Sequence, residues 1–122
     1  MSKSKIIRFN FEKLNVWQKS MDLAVILVQI ADSLPQKYQF SFGDQLRRAG
    51  LSMPSNIAEG AGRRGIRDSA NFYSIAKGSV YEAVNIVKLL ERLNLSNEKR
   101  FDLERIYSEA EEIVKMLYGL SR

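Results

Sequence analysis

The segment Ser52–Arg64 reads SMPSNIAEGAGRR and departs further from an ordinary amphipathic helix than any other part of the 122-residue chain. It places Pro54 within a helical pattern, where a proline removes one hydrogen bond and crowds the preceding turn. Gly50, four residues earlier, adds no side chain to that crowding. The sequence therefore predicts a second helix that starts near Gly43 or Asp44, is kinked at Pro54 and finishes near Arg64.

Three other segments repeat apolar residues every three or four positions, as amphipathic helices do. The main stripe of the first helix, which runs from about Glu12 to Pro35, consists of Leu14, Trp17, Met21, Ala24, Val28 and Ala31, with Trp17 expected in the core. Further apolar residues, Val25, Leu27, Ile30 and Leu34, widen this stripe, so the helix should bury more than one side, against neighbours in the bundle or another subunit. The third helix has two stripes, the first being Phe72, Ala76, Val80, Ala83, Val87 and Leu90 and the second Ile75, Ser79, Ile86, Leu89 and Leu93. The stripe of the fourth helix consists of Leu103, Ile106, Ala110, Ile113 and Leu117. Short connections between these helices predict an all-α, antiparallel up-down-up-down four-helix bundle.

Polar residues near the helix starts suggest how each helix is capped. The expected capping side chains of the second, third and fourth helices are, in that order, Ser41 or Asp44, Asp68 or Ser69, and Ser96 or Asn97. Gly78 interrupts the third helix, where glycine is less favourable than alanine. We expect another backbone to approach closely at that position.

Composition narrows the chemistry that the chain can perform. It contains no cysteine and no histidine, so disulfides, thiolate chemistry and the most common metal ligand are absent. The fold and composition together predict a cytoplasmic, non-enzymatic protein without a metal or other cofactor. The run Leu23–Ala31 is broken by Gln29 and is too short to span a membrane. Residues 1–10 read as a mobile basic N-terminal tail, and residues 11–122 as one four-helix bundle domain.

Basic residues at both ends of the second helix and on the third are the candidates for a nucleic-acid-binding surface, because the net charge is +5 and arginine forms paired hydrogen bonds to phosphate. They are Arg47, Arg48, Arg63, Arg64, Arg67 and Lys77. A helical wheel separates Arg47 from Arg48 and Arg63 from Arg64, so all six do not share one face. The alternative is that some of them form ion pairs, such as Glu59 with Arg63 or Arg48 with a carboxylate of a neighbouring subunit.

Two polar residues near Pro54 have a structural interpretation that we favour over a catalytic one. Asn56 is expected to bond backbone groups that Pro54 frees, and Glu59 to pair with arginine, because a lone carboxylate is weak evidence for acid-base chemistry. The aromatic residues of the connection and of the third helix are expected to pack rather than to stack on bases. They are Tyr38, Phe40, Phe42, Phe72 and Tyr73.

Three stretches of the chain resemble the 23S ribosomal RNA intervening-sequence protein family. They are FEKLNVWQKSMDLA (residues 11–24), QLRRAGLSMPSNIAEGAGRR (residues 45–64) and FYSIAKGSVYEA (residues 72–83). The likeness extends from Phe11 to Tyr118 and departs at Gly43, where relatives usually have a threonine.

The resemblance implies properties that the residues alone do not establish. It implies an antiparallel four-helix bundle that assembles into a homopentameric ring with a basic central channel, in a bacterial family of which some members are encoded within inserted segments of ribosomal RNA genes. It also implies a fold similar to the accessory variability protein of diversity-generating retroelements, which binds RNA and a reverse transcriptase. No enzymatic activity is implied.

These observations together predict a non-enzymatic, oligomeric four-helix bundle that binds RNA or another nucleic acid through a basic surface or a central channel. The alternative is a structural adaptor in which the third helix and the aromatic connection mediate protein-protein contacts and the charge only keeps the protein in solution.

Overall fold

Four α-helices and no strand make up the part of the chain that the computed structural model describes, residues 6–121. They are α1 (Asn15–Asp32), α2 (Asp44–Ala61), α3 (Ile66–Arg92) and α4 (Leu103–Leu120). A 3₁₀ helix, Asn10–Lys13, precedes α1, while the 3₁₀ helix Gln36–Tyr38 and the π-helical turn Gln39–Gly43 connect α1 to α2. The helices α1 and α3 each pack against both α2 and α4.

This arrangement confirms the predicted all-α four-helix bundle. The segment α2 is a single helix with Pro54 inside it, and the kink there stays a prediction, as does the up-down order. The expected N-terminal tail lies partly outside the described residues. From Ile6 onward the chain is described, and the Glu12 side chain accepts hydrogen bonds from the backbone amides of Arg8 and Phe9 at 3.3 and 3.0 Å.

The hydrophobic core confirms the predicted stripe of the fourth helix and most of the first stripe of the third. All five apolar residues expected on the inner face of α4 are buried, and in α3 only Phe72 of its first stripe is partly exposed. Of the second stripe of α3, Ser79 and Ile86 are buried, whereas Ile75, Leu89 and Leu93 are exposed. The core is therefore formed mainly by one face of each helix.

The first helix confirms part of its predicted burial. The residues buried as predicted are Ala24, Leu27, Ile30, Ala31 and Leu34, whereas Met21 and Val25 are exposed. Val16, Ser20 and Leu23 are buried although they were not in the predicted stripe. Because Ser20 is polar, the face that it shares with Val16 and Leu23 does not stand out as apolar in the sequence. Its hydroxyl donates to the carbonyl of Trp17 at 2.9 Å, and this hydrogen bond allows Ser20 to be buried. The helix also begins three residues later than expected, at Asn15.

The predicted capping side chains are wrong for all three later helices. The helix α2 follows the π-helical turn directly, and α3 starts after Gly65, in both cases without a capping hydrogen bond from a side chain. The residue that caps α4 is Asp102, whose carboxylate accepts from the backbone amide of Arg105 at 3.1 Å. Asn94 and Asn97 adopt positive φ angles, 58° and 55°, so the chain turns there and the fourth helix cannot begin at Asn97.

Small residues allow α2 to approach its neighbours closely. A Cβ atom on Gly60 would lie 2.6 Å from Cε1 of Tyr73 and 3.1 Å from the carbonyl oxygen of Ser69. The hydroxyls of Ser52 and Ser79 are 2.6 Å apart, which links α2 to α3 at a second point.

Gly78 does not have the neighbour that the sequence suggested. A Cβ atom there would meet no described atom within 4 Å, so no backbone of the same chain approaches it. Glycine within a helix is about 1 kcal/mol less favourable than alanine. Packing within one copy of the chain gives no reason for this residue.

Gly60→Ala is expected to lower the free energy of unfolding by about 1–3 kcal/mol, because the added methyl group overlaps the ring of Tyr73. The measurement is urea denaturation followed by circular dichroism at one fixed protein concentration. Gly119→Ala is the matched control, since Gly119 lies in α4 with open space around it, and it should be neutral or slightly stabilising. Equal midpoints for the two variants would contradict the close α2–α3 contact.

Candidate nucleic-acid interface

Arg63 stabilises the short connection between α2 and α3. Its guanidinium lies 3.2 Å from a carboxylate oxygen of Glu59 and 3.7 Å from one of Asp68, and it covers the ring of Phe72 at 4.6 Å. The predicted pair of Glu59 with Arg63 is therefore present. Arg63 thus pairs with the acidic residues on both sides of the connection, Glu59 of α2 and Asp68 of α3.

Arg64, in the α2–α3 connection, and Arg67, in the first turn of α3, are left without a carboxylate. Both are exposed, and neither has an ion pair within residues 6–121. Each of these guanidinium groups can donate paired hydrogen bonds to an oxyanion such as phosphate. We call Arg64 and Arg67 the junction pair.

Arg47 is held in a network between the end of α1 and the start of α2. It contacts Asp32 at 2.9 Å and Asp44 at 3.1 Å, and it donates to the backbone carbonyl of Gln39 at 3.2 Å and to the side-chain carbonyl of the same residue. Its side chain is 29% exposed. These bonds fix the α1–α2 connection and leave Arg47 little capacity for another ligand.

The remaining two candidates lie apart from the junction pair. Arg48 is exposed and has no ion pair in the described part of the chain, and Lys77 lies with its ammonium 5.0 Å from the centre of the Tyr118 ring. Arg47 lies near the start of α2 and Arg63 beyond its end, and because a helix rises 1.5 Å per residue, the part of α2 from Arg47 to Ala61 alone is about 21 Å long. The six predicted residues therefore do not form one continuous site, and the junction pair is the best-defined group among them.

Asn56 has a different partner from the one expected. Its side-chain amide donates to the backbone carbonyl of Ser52 at 2.9 Å and to the hydroxyl of the same residue at 3.0 Å, whereas the carbonyl that Pro54 leaves unpaired belongs to Gly50. Asn56 thus supports the Ser52–Ser79 link between α2 and α3. Both hydrogen bonds of Asn56 stay within α2, and it is the Ser52 hydroxyl that reaches α3.

The aromatic residues fall into two groups. Tyr38 and Phe42 stack with ring centres 5.4 Å apart, and Tyr73 is buried against Gly60. Phe40 is 81% exposed, and Phe72 lies beneath Arg63. Packing therefore accounts for all of the expected aromatic contacts except that of Phe40.

Shifted pKa values in the chain mark packing and pairing between helices. Burial, reinforced by a 2.7 Å hydrogen bond to Glu91, raises the pKa of Tyr107, and burial also raises the pKa of Tyr73. Hydrogen bonds to Glu109 and Glu112 raise the pKa of Lys19, which joins α1 to α4. These shifts mark contacts that hold the bundle together.

The sequence interpretation missed an apolar groove between α1 and α2. It is lined by Phe11, Trp17, Met21, Val25, Leu51 and Pro54, among other residues, and within the described chain no charged side chain lines it. Trp17, expected in the core, is half-buried and packs against it while also lining the groove, whereas Met21 is exposed. Apolar spacing alone does not tell which partner covers a helix face. Leu51, which is 68% exposed, lay outside every predicted stripe.

Two further searches cover the same described range. Residues 6–121 contain no group of three or more histidine, cysteine, aspartate or glutamate side chains placed to hold a metal ion. None of the helices found there combines the length and apolar character that crossing a membrane requires.

The fold and the junction define a small all-helical protein of the four-helix-bundle class. The chain belongs to the 23S rRNA-intervening sequence protein family, whose model matches residues 12–119. A similar solved structure is that of a protein of unknown function from the S23 ribosomal protein family of Bacteroides thetaiotaomicron VPI-5482. It is 27% identical, with a TM-score of 0.77 over 88% of this chain and 98% of that one. No curated protein matches the chain.

Arg47→Ala is expected to lower the free energy of unfolding by about 1–2 kcal/mol, because it removes charged hydrogen bonds that fix the α1–α2 connection. Arg64→Ala is the control and should change stability by less than about 0.5 kcal/mol, since Arg64 has no ion pair to lose within the described residues. Chemical denaturation at matched protein concentration measures both. A shift of the same size in the two variants would show that the Arg47 network adds nothing.

Proposed function

We propose that this protein is a non-enzymatic homo-oligomer that binds RNA, or another nucleic acid, through a basic surface centred on the junction pair. The observation that carries the proposal is that Arg63 occupies Glu59 and Asp68, so that Arg64 and Arg67 stay exposed and free to bind phosphate. The family's link to 23S ribosomal RNA makes RNA the first ligand to test.

Binding by this surface would depend on charge and not on base sequence. Arginine contacts to phosphate release counterions, so the affinity falls as salt rises, and the slope measures the number of contacts. Assembly would multiply the effect, because each additional copy brings another junction pair to the same nucleic acid. The resemblance adds the proposal that the assembly is a ring of five copies with a basic central channel, related in fold to the accessory variability protein.

The test is the binding of a fluorescently labelled RNA hairpin, measured by anisotropy at several potassium chloride concentrations. The double variant R64A/R67A should bind at least tenfold more weakly at low salt, and the salt slope should fall by roughly one for each arginine removed per bound copy. Salt-independent binding, or no binding of RNA or DNA by the wild type, would refute the proposal.

A matched double variant separates a local site from overall charge. K99A/R105A also removes two positive charges, but near the start of α4, and both side chains are exposed. We expect its affinity for the hairpin to stay within twofold of the wild type. If the two double variants lose affinity equally, net charge alone governs binding and the junction pair has no special role.

A protein-protein adaptor is the second candidate, and Phe40 favours it, because this ring is the most exposed of the large hydrophobic side chains while Tyr38 and Phe42 beside it are packed. Exposed aromatic residues are frequent in protein interfaces. The two candidates differ in one result, since an adaptor would not bind the labelled hairpin at any salt concentration.

A further inference from the structure

An apolar feature of the surface runs from the N-terminal segment into the groove between α1 and α2. The rings of Phe9 and Phe11 stack at 5.7 Å, and Phe11 meets the edge of Trp17 at 5.0 Å. Beyond Trp17 the groove continues along Met21 and Val25 to Leu51. These contacts make one continuous apolar surface, and surfaces of this kind mark interaction sites.

The chemistry of the groove limits what can cover it. Its lining within the described chain carries no charge and few polar groups, so it offers nothing to the phosphates of a nucleic acid. A partner can displace water from such a lining without the free-energy cost of desolvating a charged side chain. A chain with a net charge of +5 repels its own copies, and an uncharged face is one on which two copies can meet.

The outer face of α3 offers a surface of matching character. Ile75 and Leu89 are exposed there, and between them Gly78 has open space where a side chain would be. No contact within the chain explains a glycine at this position. A glycine on an exposed helix face allows the side chain of a second molecule to reach the backbone.

Two unpaired charges lie next to these apolar residues. Arg48 is three positions before Leu51 on α2, and Glu82 is four positions after Gly78 on α3, so each charge neighbours its apolar residue on the helix surface. Both charges are exposed, and neither has an ion pair in residues 6–121. The α1–α2 groove face therefore has the exposed Leu51 beside the cation of Arg48. The outer face of α3 has Gly78, with space above it, beside the anion of Glu82.

We propose that the α1–α2 groove face of one copy packs on the outer face of α3 of a second copy, with Leu51 against Gly78 and Arg48 opposite Glu82. The inference rests on the proposed homo-oligomer and names the surfaces that form it. The two faces differ, so each copy uses both, and repetition of the contact generates a closed ring or an open filament. Arg48 thereby belongs to assembly, and nucleic-acid binding is left to the junction pair.

The first experiment compares the mass of the full-length protein with that of packing variants by light scattering from 1 to 100 µM protein. We expect Leu51→Gln and Gly78→Gln to raise the dissociation constant of the assembly at least tenfold. The matched controls Ile66→Gln and Gly119→Gln should leave it unchanged, because these residues lie at exposed positions outside both faces. Circular dichroism should show every variant folded, since each altered side chain is exposed in the single copy.

The second experiment exchanges the two charges. R48E and E82R should each weaken the assembly, and the double variant R48E/E82R should restore it, because the ion pair is re-formed in the opposite direction. Restoration is specific to a direct contact, since the double variant has the same net charge as the wild type.

The outcomes separate the inference from the function on which it rests. A wild type that has the mass of one copy at every concentration overturns both this contact and the proposed homo-oligomer, while RNA binding can still be measured. An assembled wild type that Leu51→Gln and Gly78→Gln leave intact overturns the contact alone. If Leu51→Gln weakens the assembly but Gly78→Gln and the charge exchange have no effect, the groove meets something other than α3 and the inference is wrong.

Discussion

The close approach of α2 to its two neighbours is the constraint on which the rest of the structure depends. Gly60 lets the ring of Tyr73 lie against the α2 backbone, and a Cβ atom on Gly50 would lie 3.6 Å from Cβ of Leu27 and 3.7 Å from the carbonyl oxygen of Ala24 on α1. A methyl group at Gly60 would overlap the Tyr73 ring and push α2 and α3 apart, whereas one at Gly50 would make ordinary contacts. Because α2 lies close on both sides, its polar residues are forced into contacts between helices, as the Ser52–Ser79 link shows.

The number of nearby carboxylates decides which arginines are available for function. Arg47 and Arg63 lie beside acidic residues and are held by them, and through them the two ends of α2 are fixed to α1 and α3. Arg64 and Arg67 follow in sequence but find no acid left to pair with. A basic surface therefore needs more than a high count of arginine, because only cations in excess of local carboxylates can neutralise phosphate.

Sequence patterns predicted the core residues correctly for a helix that has a single apolar face, packed against the other helices of the bundle. The stripe of α4 was correct at every position, since its opposite face is strongly charged and leaves no ambiguity. The start of α2 at Asp44 was predicted correctly, but the capping side chains were not, because several polar residues lie near each helix start and the sequence does not show which of them, if any, the backbone places at the cap, as Asp102 shows for α4. For the candidate basic site, the sequence predicted the pair of Glu59 with Arg63, but it could not show that Asp68 also contacts this guanidinium, because Asp68 lies beyond the turn between α2 and α3.

The error in the first helix carries the most information about the molecule. Its main stripe is divided, since Met21 is exposed in the groove and Trp17 lines the groove while half-buried, whereas Ala24 and Ala31 are buried. Apolar periodicity reports that a helix face avoids water, and it does not distinguish cover by the same chain from cover by another. The second stripe of α3, with Ile75 and Leu89 exposed, departs from the core in the same way. A contact between copies would account for helix faces that are apolar in sequence and exposed in a single copy. On one of these faces Gly78 leaves room for a side chain of the second copy.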